Sequence, residues 1–430
     1  MLKIQTQSQS MRNTPAVLWT SAIVLGSFKE TQMTTIALSP AKMLLFAFAA
    51  GAMVANMYYL QPILGLVSSS FNEPISTSGL LVSLGQIGYT FGILLIVPLG
   101  DVLERRTLLA LVFGINATAL LTAAISSNFA VFSAAVLISG ATSSAAMLIV
   151  PFVASIAPIE KRGRLVGLVM TGALLAIPLS WVVSGGIGNV AGWRVLYGIA
   201  GVAVIGLLFM LRHNLPSEPD RRNAQIRYGS LLSSILQIAL AQPRLRQRAL
   251  YGAIGMVCFS SLWTGLPILL SQSPYNFSPA AIGLFGLTGV AGALIPGLVG
   301  RLNDKGYTGQ LTVGLALLMS LAWASLIYAD TGLWVIVLAA IGLNVAVMGL
   351  QITHQSVIYK LDPAANSRIT AVFVSVNFVG ASIGSSLASI GVRAFGWTGL
   401  CALGALIPLF LLVHFLIAER SKDARDEKAS

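Results

Sequence analysis

The chain has 430 residues, of which 56% are hydrophobic and only 9% charged. Soluble domains carry about 25% charged residues, so the bilayer is the main solvent here and a large soluble enzyme is excluded. The net charge of +12 is spread over short connectors between apolar runs, which suits anionic lipid and control of topology rather than nucleic acid.

Residues 1–42 read as an N-terminal cytoplasmic extension. Within it, Pro15 to Phe28 is apolar for 14 residues, too short for a comfortable crossing. It is either an interfacial helix or part of an upstream extension with the functional start at Met33; no signal-peptide cleavage site follows it.

Twelve runs of spanning length follow, at about 43–68, 78–99, 107–126, 130–156, 164–188, 194–212, 248–271, 279–300, 309–329, 332–357, 368–394 and 397–417. About 20 helical residues cross about 30 Å of hydrocarbon. These are numbered spans 1 to 12. An even number puts both termini on one side. Of the 26 basic residues, only Arg194 and Arg393 fall on the opposite side, so both termini are expected in the cytoplasm.

Between spans 2 and 3 lies a knot of charge, Gly100-Asp101-Val102-Leu103-Glu104-Arg105-Arg106, flanked by runs with no Lys, Arg, Asp or Glu. Arg105 or Arg106 can bond carboxylates or helix-end carbonyls there, and Gly100 permits close helix approach. The longest connector, Arg212 to Arg248, carries Pro216, Pro219, seven Arg and no Lys and reads as a solvated linker. Inside it, Leu231 to Leu240 is amphipathic and suits a short helix on the membrane surface.

The halves repeat. Gly100 is echoed by Gly300 in Gly300-Arg301-Leu302-Asn303-Asp304-Lys305-Gly306. Pro62 is echoed by Pro267, Arg164 by Arg368, and Gly192-Trp193 by Gly396-Trp397, at offsets of 200 to 205 residues. The chain is therefore expected to be an all-α membrane protein with twelve helices in two pseudo-symmetric bundles. The bundles cover 43–212 and 248–417, joined by a cytoplasmic linker at 213–247 and followed by a tail at 418–430. Transporters built this way bind substrate near the midplane, between the halves.

This pattern resembles the major facilitator superfamily over about residues 40–418. The signature of that family between spans 2 and 3 reads roughly Gly-x-Leu-x-Asp-Arg-x-Gly-Arg-Arg; here Gly100, Glu104, Arg105 and Arg106 match and the second Gly is missing. The second copy has Gly300, Leu302, Asp304, Lys305 and Gly306. Asn56-Met57-Tyr58-Tyr59-Leu60-Gln61-Pro62, Lys161-Arg162-Gly163-Arg164 and Gly192-Trp193-Arg194 resemble the bacterial sugar- and drug-efflux branches. The resemblance implies a monomeric inner-membrane transporter that moves a small organic solute by alternating access, as proton-coupled efflux, with no cofactor. It gives a gating role to Gly100, Asp101, Glu104, Arg105, Arg106, Arg164, Gly300, Asp304, Lys305 and Arg368. It also implies that spans 1, 4, 7 and 10 face the cavity.

Polar and aromatic residues on those spans are the candidate solute contacts: Asn56, Tyr59 and Gln61 on span 1; Phe259 and Trp263 on span 7; Asn344, Met348, Gln351 and Gln355 on span 10. Polar side chains facing lipid are costly, so these amides are expected inside. Span 5 has small residues at Gly167, Gly172, Ala176, Gly185 and Gly186 around Pro178, without the family's Gly-Pro-x-x-Gly-Gly antiporter spacing. Gly283, Gly286, Gly289 and Gly292 make a smooth face on span 8.

None of the fourteen carboxylates lies mid-span. Candidates for protonation are therefore Asp101, Glu104 and His354, the last because imidazole titrates near neutrality. That shortage keeps a passive facilitator or uptake system open as an alternative. A non-transporting sensor or lipid-handling protein is a second, though no large soluble signalling segment is present. Cys258 and Cys401 lie in apolar runs without metal-ligand spacing and read as buried hydrophobes. There is no P-loop, nucleophile–base set or metal cluster, so an enzyme and ATP-driven transport are not expected.

Overall fold

The computed structural model describes residues 39–158, 161–215, 228–362 and 365–429, with side chains to residue 418. The Pro15 to Phe28 stretch, Met33, and Arg221, Arg222 and Arg227 of the connector lie outside the described residues. The side chains of the tail do too.

Every regular element among the described residues is helical. Eleven helical stretches are long and apolar enough to cross a membrane: Pro40–Phe71, Ile75–Asp101, Arg105–Ile125, Phe129–Ile156, Arg162–Ala191, Trp193–Asn214, Pro243–Leu270, Pro279–Asp304, Thr308–Thr331, Leu333–Ile358 and Asn366–Ala418. The last has 53 residues, more than twice what one crossing needs. It breaks at Gly396, whose φ of 68° and ψ of −175° are non-helical, and so supplies spans 11 and 12.

Local chemistry sets many of the ends. Ser39 caps span 1 by accepting from the Lys42 amide, with Pro40 in the first turn. Asn128 accepts from the Ala130 amide to open span 4, and Ser278 with Pro279 opens span 8. Gly192 and Gly396 have φ of 84° and 68°, which a side-chain-bearing residue adopts poorly. Each precedes a Trp whose indole N–H is fixed, Trp193 to Ser70 Oγ at 2.8 Å and Trp397 to the Leu326 carbonyl at 2.9 Å. The sequence repeat thus reappears as the same backbone device in both halves.

Span 1 is interrupted as Pro62 suggests. Its first helix ends at Asn56, Met57 and Tyr58 form tighter i−3 bonds to Val54 and Ala55, and a short 3₁₀ turn leads into Leu64–Phe71. This break turns Tyr58 away from Asn56 and Tyr59.

Three apolar clusters hold the molecule together. One lies wholly in spans 1 to 6 and includes Phe46, Phe113, Phe132, Phe152 and Trp193. A second lies in spans 7 to 12 and includes Tyr251, Trp263, Trp323 and Phe415, but also takes in Tyr58 and Trp181 from the first half. A third joins Tyr89 and Ile93 of span 2 to Leu245, Ile358, Ile369 and Phe373. Buried polar groups are bonded within the halves as well: Asn116 donates to Thr142 Oγ1 at 2.9 Å and to the Ser139 carbonyl, and accepts from Asn56. Outward positions such as Phe48, Phe91, Leu111, Val190, Phe209 and Leu321 are apolar and exposed, as a lipid-facing surface requires.

The long connector is not solvated linker throughout: the amphipathic stretch at Leu231 to Leu240 lies within a helix. Tyr228–Ala241 forms a helix, and Ile235 is 7% exposed within the third cluster. Its alternation of Leu and Ile gives one face that packs on spans 2, 7 and 11.

Candidate functional site

The geometry is described by two ends: the basic end, carrying Arg105 and Arg301, and the far end, carrying Gly192 and Gly332.

At mid-membrane, Tyr58, Ile177, Pro178, Trp181, Phe259, Trp263, Gly286, Gly289 and Asn344 enclose a cavity of about 10 Å³. The residues come from spans 1, 5, 7, 8 and 10, so both halves contribute. None is charged. Trp181 and Trp263 meet edge to face with centroids 4.4 Å apart, and Phe259 lies 6.1 Å from Trp263. The Trp181 indole donates to Gln61 Oε1 at 2.9 Å. The Trp263 indole N–H is buried and has no hydrogen-bond partner. An unmet donor in a low-dielectric interior is costly, about 1–3 kcal/mol, and its residue lines a space bordered by aromatic rings. A cavity of this volume holds about one water at most, whereas small-solute sites run to about 300 Å³ or more. The halves must part for a solute to enter.

Toward the far end the cavity is sealed by spans 5 and 8. A Cβ built on Gly185 would lie 3.0 Å from Gly283 Cα, and closer still to the Pro279 carbonyl oxygen. One on Gly283 would lie 2.5 Å from the Trp181 carbonyl oxygen. Only glycine allows this approach, as the small-residue faces of the two spans suggest.

Beside the cavity a polar seam joins span 2 to spans 7 and 11. Gln86 Nε2 donates to Ser260 Oγ at 2.7 Å, and Ser385 Oγ donates to Gln86 Oε1 at 2.9 Å. Ser83 and Ser386 hydroxyls are 2.9 Å apart, and Thr264 bonds Ser385 at 3.1 Å. Ser382, Ser385, Ser386 and Ser389 recur at helical spacing on one face of span 11, a period already present in the sequence.

At the basic end the turn residues gather around a cavity of about 100 Å³ lined by Gly100, Asp101, Arg105, Leu148, Pro151, Leu231, Ile235 and Arg368, among others. Arg105 donates through Nε to the Gly100 carbonyl and through Nη1 to Ser155 Oγ, both at 3.3 Å, with Asp101 Oδ1 4.0 Å away. Arg106 donates to the Arg212 carbonyl at the end of span 6, at 2.7 Å. Glu104 accepts from Thr107 at 2.6 Å. Between the seam and this end, Tyr89 and Phe378 close spans 2 and 11, centroids 4.3 Å apart. The Tyr228 hydroxyl bonds the Leu95 carbonyl at 2.7 Å; its burial raises the phenol's pKa.

The structure therefore sorts the expected residues. Gln61, Phe259, Trp263 and Asn344 converge on or beside the central cavity. Asn56 does not: it donates to Asn116 at 2.9 Å inside the first half. Tyr59 packs against that half's core, and Tyr58 takes the central position. The 3₁₀ break after Asn56 rotates the face, which helical spacing alone misplaces. Gln351 bridges Gly252 of span 7 and Asn377 of span 11, at 3.1 and 2.7 Å. Gln355 bonds Tyr359 on its own helix, and Met348 is half-buried with neither bond. Gly100, Asp101, Arg105 and Arg368 meet; Arg164, Asp304 and Lys305 are exposed, and a Cβ on Gly300 would meet nothing. In the second turn the buried polar residue is Asn303, which reaches Thr353 and Thr308.

His354 is fully buried, and neither ring nitrogen has a hydrogen-bond partner. It sits against Tyr251, ring centroids 5.2 Å apart. The Tyr251 hydroxyl in turn lies 2.9 Å from His414 Nδ1, and the Arg248 guanidinium lies over the Tyr251 ring.

Comparison with known proteins decides the family. The profile of the Major Facilitator Superfamily matches residues 45–385. The chain belongs to this superfamily. It is 36% identical over 376 residues to the uncharacterized transporter YgaY of Escherichia coli O157:H7, covering 87% of this chain and 95% of that one. It is 27% identical over 383 residues to the probable sugar efflux transporter of Helicobacter acinonychis, covering 87% and 95%. Among solved structures, a D-xylose–proton symporter superposes with a TM-score of 0.67 at 16% identity, covering 86% of this chain and 96% of that one. The nucleoside transporter NupG gives 0.68 at 14%, covering 87% and 98%. The protein is a multi-pass membrane transporter of this superfamily, not an enzyme.

Proposed function

We propose that the protein exports a small, neutral, hydroxyl-bearing organic solute of the sugar class across the inner membrane, as a monomer, with its basic end and both termini in the cytoplasm. The observation that carries this reading is the unpartnered Trp263 N–H in a charge-free aromatic cavity between the halves. A pyranose offers what that surface lacks: an oxygen acceptor for the indole and an apolar C–H face for the rings. Ionic solutes find no counter-charge there. The sugar efflux relatives support the substrate class and the direction. The distribution of Arg and Lys supports the orientation.

Alternating access follows from the same parts. Separation of Gly185 from Gly283 and of the Gln86 seam opens the cavity outward. Separation of Tyr89 from Phe378, with the Asp101, Arg105 and Arg368 group, opens it inward. Proton coupling is proposed at Asp101, whose carboxylate faces the inter-half cavity beside Arg105 and Arg368; protonation weakens that group and releases the basic end. A second reading, facilitated diffusion, is favoured by one observation: among the described residues the carboxylates lie at span ends or in connectors.

The test is transport and binding by Trp263→Phe, which keeps the ring and removes the donor. The expected result is an about tenfold weaker apparent affinity for the transported sugar, one hydrogen bond's worth, with normal insertion. Unchanged affinity overturns the assignment.

A further inference from the structure

The Tyr228–Ala241 helix has three sides. Leu231, Ile235 and Ile238 face the protein, and Leu231 and Ile235 line the basic-end cavity with Asp101, Arg105 and Arg368. Ser233, Ser234 and Gln237 form a polar side. Between them runs a second apolar row, Leu232, Leu236 and Leu240, spaced four apart on one edge. Leu236 and Leu240 are 61% and 62% exposed. A helix buried on one side and bathed in water on the other has no use for this row.

Its position says what covers the row. Tyr228 is fixed to the Leu95 carbonyl, and Leu95 is itself a lipid-facing residue of span 2. Leu95 lies six residues before Asp101, about 9 Å in from the turn at 1.5 Å per residue, near the boundary of headgroups and acyl chains. Arg244 and Arg246 follow the helix and are exposed. Arg246 Nη1 also bonds the Leu240 carbonyl at 2.6 Å, holding the helix end beside span 7. Apolar row, depth and flanking cations match an anionic bilayer surface.

We infer that this helix is a lipid-docked strap: its outer row inserts among the acyl chains of the leaflet at the basic end, Arg244 and Arg246 bind anionic headgroups, and its inner face thereby holds the cleft between the halves. Lipid composition then sets how readily the basic end opens. The inference is independent of the solute.

The experiment uses the full-length protein in vesicles of phosphatidylcholine with zero to one-third phosphatidylglycerol, carrying a fluorophore on Leu236→Cys. Cys258 and Cys401 are buried and remain unlabelled. The expected result is quenching by brominated acyl chains, increasing with phosphatidylglycerol, and protection from aqueous iodide. Adding Arg244→Gln, which leaves the Arg246 cap in place, shifts the half-effective phosphatidylglycerol fraction up about fivefold. Quenching by iodide alone overturns the inference, because the row then faces water. Protection from both quenchers also overturns it, because protein then covers the row.

Discussion

The far-end seal makes the sharpest quantitative prediction. Gly185→Ala places a methyl group 3.0 Å from Gly283 Cα and nearer to the Pro279 carbonyl oxygen. Both are backbone atoms, so no side chain can swing aside. Overpacking of this kind costs about 1–3 kcal/mol. The whole cost falls on the sealed state, since the open state separates spans 5 and 8. A shift of about 1–3 kcal/mol changes the ratio of open to sealed by about 5- to 150-fold. Ser184 is fully buried at this seal, so Ser184→Cys reports it through reaction with a membrane-impermeant thiol reagent added outside. Adding Gly185→Ala is expected to speed labelling by about 5- to 150-fold, in line with that ratio, and to lower transport. Unchanged labelling with wild-type transport refutes the reasoning that the seal is the moving contact.

Three further outcomes follow from the same contacts. Gln86→Leu removes the bonds to Ser260 and from Ser385; at about 0.6 kcal/mol each in a membrane, the outward-open fraction should rise about eightfold in the Ser184→Cys assay, and an unchanged rate would show that the seam does not part. Arg105→Ala loses bonds to Gly100 and Ser155 and should cut transport at least tenfold while the protein still inserts; Arg105→Lys should not restore it, because one ammonium cannot replace the two-nitrogen fork. His354→Phe keeps a ring against Tyr251 and removes a buried polar group without partners. It should leave the pH profile of transport unchanged and thermal stability equal or higher, whereas loss of pH dependence would make His354 the coupling residue.

The large features were legible because they are set by bulk physics. Span length and the repeat of Gly192-Trp193 with Gly396-Trp397 follow from hydrocarbon thickness and backbone geometry. Helix faces were harder. Spacing grouped Asn56 with Tyr59, but the tighter turn after Asn56 puts Tyr58 at the centre. Trp181 gave no sign in sequence of its pairing with Trp263, since that contact depends on how spans 5 and 7 cross. The serine row of span 11 is readable by period, but period alone does not tell an interface between halves from ordinary interhelical serine. The glycines of the two turns looked alike, yet only Gly100 is tightly packed, against Leu148.

The most direct measurement is solute counterflow in inside-out vesicles, with radiolabelled neutral sugars, nucleosides and charged metabolites compared between the wild type and Trp263→Phe. The expected result is exchange of a neutral sugar, with about tenfold weaker apparent affinity in the variant. Exchange of a charged solute alone, or equal affinity in both proteins, would contradict recognition by the aromatic cavity.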